Sequence, residues 1–252
     1  MVSFHGVRSS ARVLVGKTSY EIIGEVVRDQ HDLVVRTTKG AHSRRSGWLG
    51  TTSTRLLRKC PCPVWLVKPE STPRFLRVLA AVEPRAVDEA HCDLNLRIME
   101  LASSMADDWG AERHVLHAWE VFGARVLKSR LSREEFAELE ESRKLEVTSE
   151  FGKFLEPFDL STADECVHLV SGSPDRVIPD QVDALGVDLI VMGTGARSGI
   201  SGALMGNTAE SVLDRIGCAV LAVKPSGCVT SLVARDEAGS PAEIKTPDLS
   251  RR

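Results

Sequence analysis

The chain has few aromatic residues, little net charge and no long apolar run. Aromatic residues make up 5% of its 252 residues, with a single tyrosine, and the formal net charge is −3. Recognition of single-stranded RNA uses aromatic side chains, and an anionic partner calls for excess positive charge. No apolar run reaches the roughly 18 residues that a membrane helix needs, and no signal peptide opens the sequence. We therefore expect no nucleic-acid partner and no membrane partner.

Signatures of catalysis and of metal binding are also missing. The sequence contains no P-loop, no Ser-His-Asp set and no paired-carboxylate signature. Cys60 and Cys62 flank a proline without a second cysteine pair nearby, which indicates structural thiols rather than metal or redox chemistry. His114 and His117 are an odd distance apart on a predicted strand, so they face opposite sides of it. The six scattered cysteines suit buried thiols in a reducing compartment, and we predict a cytoplasmic protein.

An internal repeat is the strongest feature of the sequence. Residues 32–69 and residues 188–225 match without a gap, at a constant displacement of 156 residues. Most apolar positions stay in phase, as Leu57 and Leu213 illustrate, and Gly50 matches Gly206. An ungapped match of this kind indicates one supersecondary unit that is used twice.

The later copy of the unit predicts a strand, a glycine-rich loop, a helix and a second strand. Leu189 to Met192 is an apolar run typical of a strand buried on both faces. The loop from Gly193 to Gly206 leads into Asn207–Glu210, which reads as a capping box. Cys218 to Val223 is the second buried strand. The free backbone N–H groups at the start of the helix predict an anion site.

The two copies differ in completeness. Residues 74–225 predict alternating strands and helices, five strands in all, which favours a parallel sheet with helices on both faces. Residues 1–69 predict only the last three strands and two helices of the same domain, beginning with a strand at Val13–Val15. We expect that the chain begins inside an ancestral domain, through a misplaced start codon or a truncated gene. Residues 70–73 read as a linker and residues 226–252 as a disordered polar tail.

Both copies keep the spacing G-x2-G-x9-G-[S/T] after a strand, and this resembles the universal stress protein family. The positions are Gly193, Ala196, Gly206 and Asn207 in the second copy, and Thr37, Gly40, Gly50 and Thr51 in the first. The segments CPVWLVKP and CAVLAVKP also resemble that family. The GNTAE sequence and the tandem layout are most similar to its E group.

The resemblance implies an α/β fold, a Rossmann-like (adenine nucleotide alpha hydrolase-like) parallel sheet of strand order 3-2-1-4-5. It also implies that the final strands of two copies pair. Val64–Val67 would then meet Val220–Val223, either within one chain or between two chains of a homodimer. That pairing would cover an otherwise exposed sheet edge.

Nucleotide-binding members of the family hold ATP between the end of the first strand and the glycine loop. The corresponding positions here are Ala81, Val82, Glu83, Ala118, Met192, Gly193, Ala196, Gly206, Asn207 and Thr208. Three of them depart from the binding pattern. Glu83 replaces the usual Asp, Ala196 adds a Cβ where the backbone approaches phosphate, and Asn207 brings a larger side chain to the helix start. In the first copy, the glycine loop lacks its opposite wall.

Three functional hypotheses follow. The first is a non-enzymatic stress-response protein that acts by binding a ligand or a partner. The second is an ATP-binding protein with slow ATP hydrolysis at the glycine loop of the second copy. The third is a binder of amphipathic ligands between the long helices, near Phe151 and Phe154. The basic residues near Gly50 read as a solvated face or as an anion patch: Lys39, Arg44, Arg45, Arg55, Arg58 and Lys59.

Overall fold

The computed structural model describes residues 9–38, 49–68, 75–84, 89–194 and 205–225. Helices and strands alternate along the described chain. In chain order they are α1 (Thr18–Asp29), β1 (Val34–Thr37), α2 (Thr51–Lys59), β2 (Val64–Val67), β3 (Arg77–Ala81), α3 (Glu89–Trp109), β4 (Glu112–Trp119), α4 (Ala124–Leu127), α5 (Arg133–Leu155), a 3-10 turn (Glu156–Phe158), β5 (Val167–Ser171), α6 (Pro174–Leu185), β6 (Leu189–Gly193), α7 (Asn207–Arg215) and β7 (Ala219–Val223). The linker 70–73 and the tail 226–252 lie outside the described residues.

The strands form one sheet of seven, in the order β1-β2-β7-β6-β3-β4-β5. All neighbours run parallel except β2 and β7. The predicted α/β class with a mostly parallel sheet is therefore confirmed. Counted within the second copy, its five strands lie in the order third, second, first, fourth, fifth. The sheet has seven strands rather than the five of one copy, because it continues past β7, the fifth strand of the second copy, into β2 and β1 of the first copy.

The antiparallel joint between β2 and β7 is where the two copies meet. Trp65 pairs with Leu221, its own repeat counterpart. On either side, Val64 pairs with Ala222 and Leu66 pairs with Val220. In the repeat, Val64 corresponds to Val220 and Leu66 to Ala222, so each of these residues pairs with the counterpart of the other. The copies are thus arranged about a local twofold axis that passes through the Trp65 pair. No sheet edge is left open at this joint, because each last strand covers the other.

Helices cover both faces of the sheet. One face packs under α1, α2, α6 and α7, whose buried side chains include Leu56, Leu57 and Leu213. The other face packs under α3 and α5, with Ile98 and Phe151 in its core. Because Leu57 and Leu213 belong to the same buried cluster, the two copies share the core on the first of these faces. No helix within the described residues has the length and apolar character needed to cross a membrane.

The repeat found in the sequence is also present in the backbone. The bounds of α1 and α6, and those of α2 and α7, differ by the same displacement as the sequence repeat. Gly16 and Gly172 have φ angles of 150° and 144°, a region that favours glycine. Gln30 and Gly186 end their helices with φ angles of 51° and 61°. The tandem arrangement therefore extends to individual turns.

Two predictions for the first copy were wrong. Val13–Val15 is not a strand, and the side chains of Val13 and Val15 are 66% and 77% exposed. A strand requires a neighbour for its backbone groups, and no described strand lies beside this segment. β1 was expected to be buried on both faces, but its residues alternate, and Val35 is 57% exposed. Among the described strands β1 pairs only with β2, so it is an edge strand.

The helix caps show which local signals were reliable. The spacing S-x-x-E at residues 132–135 predicts a capping box at the start of α5. Ser132 Oγ accepts a hydrogen bond from the Glu135 backbone N–H, and the Glu135 carboxylate accepts one from the Ser132 backbone N–H, so this capping box is confirmed. The capping box predicted at Asn207–Glu210 is wrong, because Gly206 occupies the cap position and Asn207 is already helical. The Glu210 side chain instead pairs with Arg58 of the first copy. A tertiary ion pair has replaced the local contact.

Candidate functional site

The carboxyl ends of β3, β4 and β6 lie side by side at one edge of the sheet. Ala81 of β3 pairs with Met192 of β6 on one side and with Leu116 of β4 on the other. The Val82 backbone N–H continues this pairing by donating to the Leu116 carbonyl at 3.0 Å. In an open parallel sheet, ligands bind outside the carboxyl ends of the strands where the order reverses, which here is between β3 and β6.

The structure brings most of the sequence-predicted site residues to this edge. Ala81, Val82 and Met192 are buried, while Gly193 and Ala118 are half-buried. A Cβ at Gly193 would stand 2.8 Å from the Leu94 side chain, so any larger residue there would force Leu94 of α3 to shift. The edge is therefore apolar and tightly packed where the three strands end. Ala196 lies outside the described residues.

The segment after β3 is held by a buried asparagine. Asn95 is 6% exposed, and its side chain accepts from the Glu83 N–H at 2.9 Å and donates to the Glu83 carbonyl at 2.8 Å. It also donates to the His91 carbonyl one turn earlier in α3. Both backbone groups of Glu83 are thus occupied, and its side chain is the exposed part. Sequence reasoning missed Asn95, although a polar residue three positions before Ile98 on an apolar stripe was a usable signal.

His117 holds the same segment from the other side. It lies on β4 and is 7% exposed, with Nδ1 at 3.1 Å from the Val82 carbonyl. Because a carbonyl oxygen only accepts, Nδ1 carries the ring proton. Burial lowers the pKa of His117 to about 4, so the ring is neutral at pH 7. His117 therefore acts here as a neutral donor that positions the end of β3, a role that the sequence did not indicate.

The glycine loop returns to the sheet at the start of α7. The Gly206 N–H donates to the Thr194 carbonyl at 3.2 Å, and Gly206 caps the helix without a side chain. The first N–H groups of a helix have no intrahelical partner. No described side chain caps them here, because Asn207 lies inside the helix. Asn207 therefore does not cap these N–H groups, and its side chain does not occupy the position that an anion would take.

Thr194 adds a polar group that sequence reasoning missed. It follows β6 directly, is fully buried, and its N–H donates to the Val223 carbonyl. Its hydroxyl has no hydrogen-bond partner among the residues that the structure describes. A buried hydroxyl left unpaired costs on the order of 1–3 kcal/mol, and such groups need an explanation. The hydroxyl lies between the sheet edge and the α7 N-terminus, where a bound polar ligand could supply the missing hydrogen-bond partner.

The first copy has only half of this arrangement. Gly50 caps α2 without a side chain, and the Thr38 N–H donates to the Val67 carbonyl, as at Gly206 and Thr194. However, Arg36 stands at the position of Met192, and no described strand takes the place of β3 beside it. Within the described part of the chain the Arg36 Nε atom has no hydrogen-bond partner, and desolvation lowers the pKa of Arg36. Within the described residues, the first copy therefore lacks the strand that would face its glycine loop, as the sequence predicted.

The residues of the proposed anion patch are only partly placed. Lys39, Arg44 and Arg45 lie outside the described residues. Arg58 pairs with Glu210, and both side chains are about two-fifths exposed, at 42% and 40%. That ion pair joins α2 to α7 across the copies. Arg58 is thus engaged in a contact between the copies rather than available to a ligand.

Other clusters of chemically active side chains have local explanations. His114 and His117 lie on opposite faces of β4 as predicted: His114 contacts His168, and His117 packs on Phe151. The pKa values of His114 and His168 are lowered, in both cases mainly by burial.

A second cluster lies on and after α1. Its acidic members, Glu25 and Asp29, both pair with Arg12, while His31 stands nearby. The ion pairs account for the gathering of the carboxylates, and a cluster neutralised by arginine is poorly suited to a cation.

Comparisons with known proteins give a consistent result. The sequence model described as "Universal stress protein family" matches residues 2–68 and 85–224. Universal stress protein E of Photorhabdus laumondii is 30% identical over 247 residues, which cover 92% of this chain and 74% of that protein. Universal stress protein E of Escherichia coli K12 is 31% identical over 229 residues, 86% of this chain and 68% of that protein.

Solved structures agree with the sequence matches. The crystal structure titled as a putative universal stress protein from Pseudomonas aeruginosa UCBPP-PA14 has a TM-score of 0.65 and 29% identity, over 87% of this chain and 71% of that one. A universal stress protein from Archaeoglobus fulgidus has a TM-score of 0.53 at 22% identity, over 82% of this chain and 66% of that one, and so shares the fold.

Proposed function

The chain belongs to the universal stress protein family, and from that premise we propose that it serves the stress response as a binding protein without catalytic turnover. Its ligand would be an adenine nucleotide, held at the carboxyl edge of β3 and β6. The family supports the stress-related role. The finer proposal depends on the geometry of the second copy.

The unpartnered Thr194 hydroxyl beside an uncapped α7 carries this proposal. Helix N-termini bind phosphate through their free N–H groups and the helix dipole. The buried Thr194 hydroxyl would donate a hydrogen bond to the same phosphate. That bond would offset the free-energy cost of burying the hydroxyl. The apolar floor of Ala81, Ala118 and Met192 would contact the base, since ligand sites combine an apolar lining with a few directed polar groups.

The absence of turnover in the proposal follows from what the described edge offers to a reaction. His117 is neutral and donates to a backbone carbonyl, so it does not face the ligand as a base. Thr194 is a donor and not an activated nucleophile, because no described base lies within reach of its hydroxyl. Glu83 is the acidic side chain of this edge, and it is exposed to water. These features suit holding a nucleotide rather than cleaving it.

Thermal unfolding in the presence of Mg-ATP tests the proposal. At a ligand concentration of 100 times Kd, binding should add about 2.7 kcal/mol of stability. Phosphate release from the same samples should stay at the level of a protein-free control, whereas measurable release would favour the slow ATPase instead. No thermal shift at millimolar ATP would contradict nucleotide binding. A shift that appears only in Ala196→Gly would identify the added Cβ as the obstacle.

A matched pair of variants locates the site. Thr194→Val removes the hydroxyl at nearly constant shape and should weaken ATP binding about tenfold, the equivalent of roughly 1.4 kcal/mol. Thr38→Val makes the same change at the repeat counterpart and should leave the affinity unchanged. Equal effects of the two variants would place the nucleotide elsewhere.

A further inference from the structure

Two thiols touch where α2 passes into β2. Cys60 ends the helix, with its N–H donating to the Leu56 carbonyl at 2.8 Å, and Cys62 follows after one proline. Their Sγ atoms are 3.5 Å apart. Both side chains are buried, with Cys60 0% and Cys62 8% exposed. The sequence alone favoured two independent structural thiols, but the fold brings them into direct contact.

The second copy provides an internal comparison. The repeat counterparts of Cys60 and Cys62 are Ile216 and Cys218, so a single thiol remains there. Cys218 is buried, and burial raises its pKa to about 12. A thiol of that kind is inert at neutral pH, because the thiolate is the reactive form. The paired thiols are therefore an addition to the shared backbone and not a requirement of it.

The surroundings of the pair distinguish its two members. A hydrogen bond from Cys62 lowers the pKa of Cys60, and the positive charge of Lys224 acts in the same direction. The same hydrogen bond, together with burial, raises the pKa of Cys62. Lys224 is itself only 3% exposed and donates to the Leu57 carbonyl in the last turns of α2. Of the two thiols, Cys60 is therefore the one that loses its proton more readily, and its thiolate would be the attacking group.

We propose that Cys60 and Cys62 are an oxidant-sensitive dithiol, which hydrogen peroxide converts into an intrachain disulfide. Consecutive Cα atoms are about 3.8 Å apart, so the Cα atoms of two cysteines flanking one residue stay within about 7 Å. That separation is close to the range that disulfides span. The sulfurs are already in contact, so the bond needs only side-chain rotation and a small backbone adjustment.

The reaction balances in two steps. The Cys60 thiolate attacks one peroxide oxygen, the O–O bond breaks, and hydroxide leaves, taking up the proton that Cys60 released to become water. Cys60 is then a sulfenic acid. The Cys62 sulfur attacks the Cys60 sulfur, the S–O bond breaks, and a second water leaves with the Cys62 proton. The two thiols lose two electrons in total, and peroxide gains them.

The position of the pair determines its chemical behaviour. Because Cys60 is fully buried, small peroxides should react when the α2–β2 connection opens locally, and bulky disulfides should react far more slowly. A disulfide that closes so small a ring departs from relaxed geometry, and strained disulfides are readily reduced. The bond would tie the end of α2 to the strand that joins the two copies. These properties fit a reversible modification rather than a structural crosslink.

Mass spectrometry of the full chain tests the proposal. The protein is treated with hydrogen peroxide, unfolded, labelled with N-ethylmaleimide and digested. The peptide holding Cys60 and Cys62 should escape labelling, weigh less by two hydrogen atoms, and become labelled after dithiothreitol. Cys218 should remain labelled, with a rate of loss at least ten times lower. Cys60→Ser should abolish the disulfide, whereas Cys218→Ser should behave as the wild type.

Three outcomes would overturn the proposal. Cys60 and Cys62 could stay as fully labelled as Cys218 at peroxide concentrations that oxidise the exposed Cys92. A disulfide could join one of them to a different cysteine. Cys62 could lose its thiol in Cys60→Ser as fast as in the wild type, which would show that the pair is irrelevant. The wild-type measurement decides the matter even if a variant fails to fold.

Discussion

The two copies of the repeat share a backbone but not an environment. α2 and α7 start at equivalent glycines, and the turns after β1 and β6 make the same hydrogen bond to the last strand of their copy. Yet β6 has β3 beside it, while β1 has β2 as its described neighbour. A strand can thus keep its local geometry without the partner that makes a binding edge. The geometry of the loop and helix follows from the local sequence, whereas the site requires the neighbouring strand.

The difference extends to chemistry. In the second copy, the sheet edge presents Met192 and a buried hydroxyl, which suits a ligand with an apolar base and a phosphate. In the first copy, Arg36 replaces the apolar residue, and the paired thiols of Cys60 and Cys62 stand at the other end of α2. The candidate ligand site thus lies in the second copy, and the paired thiols lie in the first.

The largest expected effect concerns the core that the two copies share. Leu57 and its counterpart Leu213 are both fully buried in one cluster. Leu57→Ala and Leu213→Ala should each destabilise the protein by about 2–5 kcal/mol. Denaturant unfolding, followed by circular dichroism and tryptophan fluorescence, should show one transition in both variants, because β2 pairs with β7. Two separate transitions would mean that the copies are independent units.

Acid should destabilise the folded protein through His117 on β4, a strand of the second copy that has no described counterpart in the first. The pKa of His117 falls from its ordinary 6.5 to about 4 on folding, so the unfolded chain binds the proton more tightly. The resulting stability is complete above pH 6.5, declines as pH falls, and is lost by about pH 4, for a total of about 3 kcal/mol.

Variants of two histidines test this pH dependence. His117→Gln should flatten the fall in the free energy of unfolding between pH 7 and pH 4, measured by urea titration at each pH. Exposed His31 in the first copy is the control, and His31→Gln should keep the wild-type profile. The lowered pKa values of His114 and His168 act in the same direction and would leave a residual slope. An unchanged profile in His117→Gln would contradict the assignment.

Thr194→Val should stabilise the ligand-free protein. Removing a buried hydroxyl without a partner should raise the free energy of unfolding by about 1 kcal/mol, since its desolvation cost disappears. Thr38→Val is the counterpart in the first copy; the Thr38 hydroxyl is not among the unpaired buried groups of the described residues, so this substitution should not stabilise. Thermal unfolding without nucleotide measures both. Destabilisation by Thr194→Val would mean that the hydroxyl is already satisfied in the folded protein.

The smallest expected effect on stability comes from breaking the ion pair between the copies. Arg58 and Glu210 are partly exposed, and exposed pairs couple by about 0.2–1 kcal/mol. A double-mutant cycle with Arg58→Ala and Glu210→Ala should give a coupling in that range, and it should shrink in high salt. Arg55, one turn earlier on α2, is a control partner and should show no coupling to Glu210. A coupling insensitive to salt would contradict this surface assignment.

Periodic features of this fold could be predicted from sequence, and side-chain partners could not. The strands β6 and β7 and the long helices followed from apolar spacing, and the capping box at Ser132 from local polar residues, whereas the short helix α4 was not predicted. The capping box at Asn207 was wrong because Glu210 found Arg58, a residue far away in the sequence. The strand at Val13–Val15 was wrong because a strand exists only with a neighbour. Both errors arose because the outcome depended on neighbours distant in the sequence, one present and one missing among the described residues, rather than on local preference.

The sequence by itself determined the repeat, through residue spacing that a constant displacement of 156 residues preserves. Its motifs also pointed to the family, and the resemblance to that family suggested the sheet edge that we propose as a ligand site. Only the tertiary structure decided that the His117 ring is neutral, that the Thr194 hydroxyl is unpartnered and that the Cys60 and Cys62 sulfurs touch. The reason is physical: burial and hydrogen bonding depend on which side chains meet in space, and spacing along the chain does not specify those meetings.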